Sequence, residues 1–306
     1  MLISICICTF RRPVLLLALL NAIGQQRLAC PESQIEIVVV DNDPDHSARR
    51  VLTSWRSPPG FQLVFVHECE PNISVARNAA TQKASGDWIV FVDDDETPSS
   101  DWLSSLVEAQ RNFRADAVFG PVVPCYGAET PAWVREGAYF ERRRFVTGTV
   151  IDEADARTGN VLINAQRMKR LDGPFDRSFG RTGGEDSVLF RDLLAQDCMF
   201  VWCDEATVSE VVPLERANAG WLLRRSFRVG QTWIRAELYR LPVWKKRLRG
   251  VVLGIRAGVQ LFASIALALA WLPLSRTKSF QWVRVAVMQF GKLVGMTRFQ
   301  YHEYGV

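Results

Sequence analysis

The chain has 306 residues, enough for one large α/β domain with an appendage or for two domains, and its 48% hydrophobic and 23% charged content is that of a globular protein. The net charge of +4 hides a division: residues 1–215 carry 21 Lys/Arg against 31 Asp/Glu, whereas 216–306 carry 16 against 2, so an acidic body is followed by a basic tail. Seven scattered cysteines with no Cys-x-x-Cys pair argue against zinc and thioredoxin-like chemistry; an N-terminus without a charged region or cleavage site argues against secretion, and a reducing cytosol is expected.

In chain order, LISICIC (2–8) reads as a strand with Cys6 and Cys8 as reduced core residues. The loop Thr9-Phe10-Arg11-Arg12-Pro13 follows, then an apolar helix to about Ile23. IEIVVV (35–40) is a second buried strand ending at Asp41. Residues 48–55 look helical, 61–66 give a third strand, 73–84 carry helical spacing and 88–92 form a fourth strand. This alternation predicts a doubly wound, mainly parallel sheet. A further strand is expected over 117–123, a short one over 159–163, and a helix over 185–195 with Val188, Leu189, Leu193 and Leu194 on its apolar side.

The most informative segment is GDWIVFVDDDE. A near-continuous apolar strand there runs into Asp93, Asp94 and Asp95, at the sheet rim where ligands bind in α/β folds. Adjacent carboxylates repel unless a cation or a proton compensates. In an extended segment Asp93 and Asp95 point the same way and can share a site for Mg2+ or Mn2+, whose shell substrate phosphates complete. The competing reading is an acidic turn before a helix capped by Asp101.

Other candidates accompany the triplet. Asp41 ends the second strand in VVVDNDPDH, either as a hydrogen-bond acceptor for a nucleoside or as a turn former. Arg77 and Asn78 lie on the helix of PNISVARNAA, where Arg77 is a phosphate-binding fork or a surface arginine. Thr158, Gly159 and Asn160 precede a short strand. Gly183 and Gly184 precede Glu185-Asp186, which are either favoured first-turn acids or a general base brought into a cleft.

Taken together, CTFRRP, VVVDN, PNISVARNAA, GDWIVFVDDDE, TGN and GGED resemble family 2 glycosyltransferases of the GT-A fold over roughly residues 2–230, above all bacterial exopolysaccharide enzymes of the succinoglycan type. The resemblance implies a Rossmann-like nucleotide-binding sheet and inverting transfer of a sugar, a hexose, from a UDP-sugar to a polyprenyl-diphosphate-linked or other saccharide acceptor. It places Thr9 and Arg12 in the nucleotide pocket, Asp41 toward the uracil, Arg77 near the phosphates, Asp93 at the ribose with Asp94 beside it, and Asp95 on a divalent metal, Mn2+ or Mg2+. Asp186 becomes the catalytic base, with Glu185 positioning the acceptor or supporting that base. The second-strand motif reads DNDPD rather than the frequent Asp-Asp-Gly-Ser. The aromatic–arginine motif of processive synthases has only WLLRRSFRVG (221–230) as its nearest counterpart, which argues against long-chain processive synthesis.

Residues 1–215 thus read as the catalytic domain and 216–306 as a basic, apolar helical membrane-associating region. A Trp-bearing helix is expected over 217–238, then the basic patch Lys245-Lys246-Arg247-Arg249, an 18-residue run without charge at 257–274, and an amphipathic helix over 283–296. Basic residues on both flanks of the run favour an in-plane helix or re-entrant hairpin at the cytoplasmic face of the cell membrane over a single crossing. The partners expected are the UDP-sugar, the saccharide acceptor and an anionic membrane surface, and not nucleic acid. A sugar-nucleotide pyrophosphorylase would need an early glycine-rich loop, which CTFRRP lacks. A non-catalytic membrane- or nucleic-acid-associated scaffold would leave the order of carboxylates from 41 to 186 without a reason.

Overall fold

In a computed structural model of the chain, which describes residues 1–26, 34–297 and 299, the apolar runs of the first hundred residues become parallel strands. They are β1 (Leu2–Thr9), β2 (Gln34–Asp41), β3 (Phe61–His67) and β4 (Trp88–Val92). Helices α1 (Pro13–Gly24), α2 (Arg49–Ser54) and α3 (Ile73–Lys83) connect them. Beyond β4 come β5 (Glu96–Pro98), α4 (Trp102–Phe113), β6 (Ala117–Phe119), β7 (Val122–Tyr126), α5 (Ala132–Glu136), β8 (Asn160–Asn164) and α6 (Ala165–Lys169). Then follow α7 (Glu185–Leu194), β9 (Phe200–Trp202), β10 (Val208–Val212), α8 (Ala219–Leu238), α9 (Val243–Trp271) and α10 (Arg276–Gly295). Cys30 lies outside the described residues.

The main sheet has seven strands in the order β3-β2-β1-β4-β8-β6-β9, with β8 antiparallel to both neighbours. Both faces are covered, which is why the strands read as continuous apolar runs and not as alternating ones. One face packs Ile5, Leu16, Leu19, Val90, Trp102 and Leu106 together. The other packs Val38, Ala76, Phe91, Phe119, Leu189 and Phe190. Strand order reverses between β1 and β4, so the crevice beyond their C-terminal ends, where Thr9 and Asp93 emerge, is the switch point at which such sheets bind ligands.

Two expectations need correction. The single strand expected over 117–123 is two strands in different sheets: β6 joins the main sheet, while β7 pairs with β10 in a three-stranded sheet β5-β10-β7. Pro121 has no N–H to continue the ladder, so the chain leaves the main sheet there. In α7, Leu194 is only half-buried, and Phe190 instead completes the buried side with Val188, Leu189 and Leu193.

The basic patch and most of the uncharged run form one helix, α9, of 29 residues, about 44 Å long at 1.5 Å per residue. It is long and apolar enough to cross a membrane, with a mean hydropathy of 1.9 in its most apolar window, of which only 17% is buried. Trp244, Leu248, Ile255, Val259, Phe262 and Leu269 are all more than half exposed, and their steps of three, four and seven residues align them in one stripe. Helix α10 packs against α9 on one side and α8 on another. The α8–α10 crossing is close because Gly230 and Gly291 face each other's backbone; a Cβ on either would collide with the carbonyl of Met288 or of Phe227. The start of α10 is docked to the α/β body as well. Tyr139 donates to Thr277 O at 3.2 Å, Gln281 donates to Gly137 O at 3.2 Å, and Phe280 sits edge-on to Trp133.

Candidate active site

A cavity of about 430 Å3 opens at the switch point, between the ends of β1 and β4, the start of α7 and one face of α8. That volume is within the range of small-molecule sites. Strand β4 stops at Val92 and the chain turns, with Glu96 N–H donating to Asp93 O at 3.1 Å. The aspartates therefore do not alternate as an extended segment would make them. All three line the cavity, each with its own partners.

Arg12 Nη1 donates to Asp94 Oδ1 and to Asp95 Oδ2, both at 2.8 Å, and Thr9 Oγ1 donates to Asp94 Oδ2 at 2.8 Å. Asp94 is buried, and burial pushes its carboxyl up to about 6 despite Arg12 and Thr9. Two further carboxyls converge on the triplet. Burial, then Asp93, raises that of Glu96 well above the ordinary range; burial, then Asp95, raises that of Glu210. The pole of the cavity at the strand ends is thus crowded with negative charge. Among the described residues no preformed cluster of three metal-ligating side chains exists. The donor set, hard carboxylate oxygens on an open cavity, fits a divalent ion held by one or two carboxylates with phosphates completing its shell.

Arg77 links this pole to α7. Its Nη1 donates to Glu185 Oε1 at 2.6 Å and its Nη2 to Asp93 Oδ1 at 3.2 Å, with the guanidinium 5.7 Å from the Phe175 ring centroid. Arg77 is buried. Burial opposes its charge, but Asp93 and Glu185 outweigh burial and raise its pKa. Glu185 is pushed up to about 7, by burial first and by Asp186 as well, with Arg77 opposing, and its Oε2 has no hydrogen-bond partner. Gly184 caps α7 at φ +100°, a left-handed conformation costly to any residue with a Cβ, and so turns the Glu-Asp pair toward Arg77. Of that pair only Glu185 lines the cavity. Asp186 is half-buried beside it, with Oδ1 accepting from Ser187 N–H at 2.7 Å.

Asp41 does not line the cavity. It is fully buried, and its two oxygens accept from the N–H groups of Asp43 (3.2 Å) and Ala48 (2.9 Å), so it shapes the turn after β2; its neighbour Asn42 lines the cavity instead. Asn160 is also structural in its bonding. It accepts from Trp102 Nε1 at 2.8 Å and donates to Ala206 O (2.7 Å) and Pro121 O (3.1 Å). Asn78 accepts from Phe175 N–H and donates to Phe175 O, fastening α3 to the segment before α7. Asp101 occupies the N-cap position of α4 without a side-chain capping bond.

The opposite wall is built by the basic, Trp-bearing helix, whose residues carried no site role in the sequence, and by residues with no motif of their own. Trp221, Arg225 and Arg228 face the cavity from successive turns of α8, joined by Arg142, Arg216 and Glu210. The run ERRRF at 141–145 was a visible signal for Arg142. Glu210 offers none, because β10 reaches the cavity only through its pairing with β5 and β7.

The model of "Glycosyl transferase family 2" matches residues 4–166. A succinoglycan biosynthesis protein, ExoM of Rhizobium meliloti (strain 1021), is 37% identical over 234 residues, covering 75% of this chain and 73% of that protein. A glucosyl-dolichyl phosphate glucuronosyltransferase of Haloferax volcanii is 26% identical over 216 residues, 66% of this chain and 67% of that one. Among solved structures, the mannosyltransferase PcManGT from Pyrobaculum calidifontis, in complex with GDP-Man and Mn2+, superposes with a TM-score of 0.65 at 18% identity over 96% of this chain and 86% of that one. S. aureus TarS 1-349 in complex with UDP gives 0.55 at 16% identity, over 94% and 90%. The switch-point cavity, its order of carboxylates, the GT-A architecture and these likenesses agree: the chain belongs to glycosyl transferase family 2.

Proposed function

We propose that the chain transfers a hexose, with inversion, from a UDP-sugar to a saccharide carried on a polyprenyl diphosphate, in exopolysaccharide assembly at the cytoplasmic face of the membrane. The observation that carries this reading is the Arg77 bridge. It holds the strand-end carboxylate Asp93 and the α7 carboxylate Glu185 on one cavity, so a donor bound at the first lies beside an acid–base pair at the second. The likeness to a succinoglycan biosynthesis protein supports the exopolysaccharide setting.

The acceptor hydroxyl oxygen attacks the anomeric carbon, the bond from that carbon to the phosphate oxygen breaks, and UDP leaves with the electron pair. Asp186, in the first turn of α7, takes the hydroxyl proton. Glu185, fixed by Arg77, orients the acceptor. Thr9 and Arg12 hold Asp94 and Asp95 in place for the donor diphosphate, with Asn42 toward the base. Asp95, with Asp93, would hold a Mg2+ or Mn2+ ion, which when bound neutralises the diphosphate and its leaving charge.

Residues 216–306 form the membrane-associating region. Because α10 packs on α8 and is fastened at its start to 133–139, and the apolar stripe of α9 is exposed, an in-plane placement of α9 is favoured. The test is calorimetric binding of UDP and of GDP with and without Mn2+, followed by turnover with UDP-sugars. UDP binding that needs Mn2+ and is lost in Asp95→Ala supports the donor assignment. Absence of nucleotide binding by folded protein overturns it. Asp186→Asn is expected to lower turnover by about 10²–10⁴-fold; wild-type turnover in that variant, with loss in Glu185→Gln, moves the base to Glu185.

A further inference from the structure

The wall opposite the carboxylates carries cations that no carboxylate neutralises directly. Among the described residues, no hydrogen bond or ion pair engages the guanidinium of Arg142 or that of Arg225. Arg225 instead lies 5.2 Å from the Trp221 ring centroid and 5.6 Å from that of Phe140, two rings stacked at 5.6 Å. It is half-buried, and burial, then Arg142, lowers its pKa to about 10. A guanidinium held by ring faces, with its donors unspent and like charges around it, is arranged for an anion. Glu210 stands between the two poles, repelled by Asp95 and Asp93 and attracted by Arg142 and Arg216, and it pairs with Arg216 at 3.5 Å.

The order of the elements indicates which anion. The segment bearing Arg142 is tied to the apolar helices: Phe140 stacks on Trp221 of α8, and Tyr139 meets Phe280 and Arg284 of α10. Arg142 and Arg225 line the cavity, the rings of Phe140 and Trp221 lie against Arg225, and Tyr139, beside Phe140 in the chain, rests on α10, which packs against α9. A lipid-linked saccharide has the same order of sugar, phosphate and hydrocarbon. The donor diphosphate belongs to the other pole, with Arg12 and Asp95.

Taking the transferase reading above as given, we infer that Arg142 and Arg225 form a second anion subsite, separate from that of the donor, for the phosphate or diphosphate of a lipid-linked acceptor.

The test uses the full chain in mild detergent, with UDP and Mn2+ saturating, titrated calorimetrically with geranylgeranyl diphosphate and with geranylgeraniol. The diphosphate is expected to bind and the alcohol to bind at least tenfold more weakly. Arg142→Gln and Arg225→Gln should each weaken the diphosphate by roughly tenfold or more, about 1.4 kcal/mol, while UDP affinity stays within about twofold. Equal loss of UDP affinity overturns the inference, because the cluster then serves the donor. Equal binding of alcohol and diphosphate overturns it in favour of apolar contact alone. No diphosphate binding by wild-type protein that binds UDP overturns it and leaves the transferase reading standing; no UDP binding removes both. Should Arg225→Gln not fold, Arg142→Gln carries the same test, with Arg142→Lys expected to restore part of the affinity.

Discussion

Replacing Arg77 by Met removes the cation shared by Glu185 and Asp93 while keeping a long side chain against Phe175. Leaving one partner of a buried ion pair uncompensated costs about 3–5 kcal/mol. Glu185 is the partner that matters, because Asp93 is half exposed and water screens its loss. The cost must depend on pH. The carboxyl of Glu185 stands near 7 in the folded protein, above its ordinary 4.5. A carboxyl raised by folding contributes stability that is present below the unfolded value and is lost as pH rises through the folded one. Without Arg77 the folded value moves higher still, so the variant goes on losing stability above pH 7, where wild type has levelled off.

The loss in Arg77→Met is therefore expected to be about 3–5 kcal/mol at pH 8. At pH 6 the carboxyl is largely protonated in both proteins; the single pH unit over which only the variant still titrates is worth about 1.4 kcal/mol, so the loss shrinks to about 2–4 kcal/mol. Urea unfolding followed by tryptophan fluorescence at the two pH values measures this. Arg77→Met/Glu185→Gln should regain at least half of the pH 8 loss, since removing both partners costs less than orphaning one. Equal losses at pH 6 and pH 8, or a double variant no more stable than Arg77→Met, would refute the reasoning.

Asn160→Leu should destabilise the fold by about 2–5 kcal/mol, because it orphans the buried Trp102 N–H and the carbonyls of Ala206 and Pro121 together; thermal unfolding reads this directly. Ile255→Glu/Phe262→Glu places two charges on the exposed stripe of α9 and should reduce flotation with anionic vesicles severalfold, with a melting temperature within a few degrees of wild type.

The sheet was legible because its strands are buried on both faces and their runs of Ile and Val interrupt helical spacing unambiguously, from Leu2–Thr9 to Trp88–Val92. The triplet at the end of β4 and the Glu-Asp pair after two glycines were legible as chemistry, since carboxylates at such places need a reason. Their pairing was not. That Arg77 would reach Glu185, 108 residues away, and join it to Asp93 depends on how α3 and α7 share one face of the sheet, and no local pattern carries it. Asp41 shows the converse: its strand-end position invited a nucleoside-binding role, yet two N–H groups within seven residues occupy its oxygens. The break at Pro121 was visible in the letters, but a proline between two apolar stretches does not say that they belong to different sheets.

The tail was readable as basic and apolar, but only the packing limits how it can meet a bilayer. Were α9 to cross a membrane, α10, which packs along it, would have to enter too. Yet α10 is fastened at its start to Gly137 and Tyr139 and crosses α8 backbone to backbone at Gly230 and Gly291. Helix α8 in turn carries Trp221 and Arg225 into the cavity. A crossing would therefore pull the catalytic wall into hydrocarbon or strip α10 from it, and either exposes buried polar groups at a cost of several kcal/mol each. An in-plane α9 costs neither. It also leaves Lys245, Lys246 and Arg247 free to meet anionic headgroups, at about 1 kcal/mol per residue near the surface.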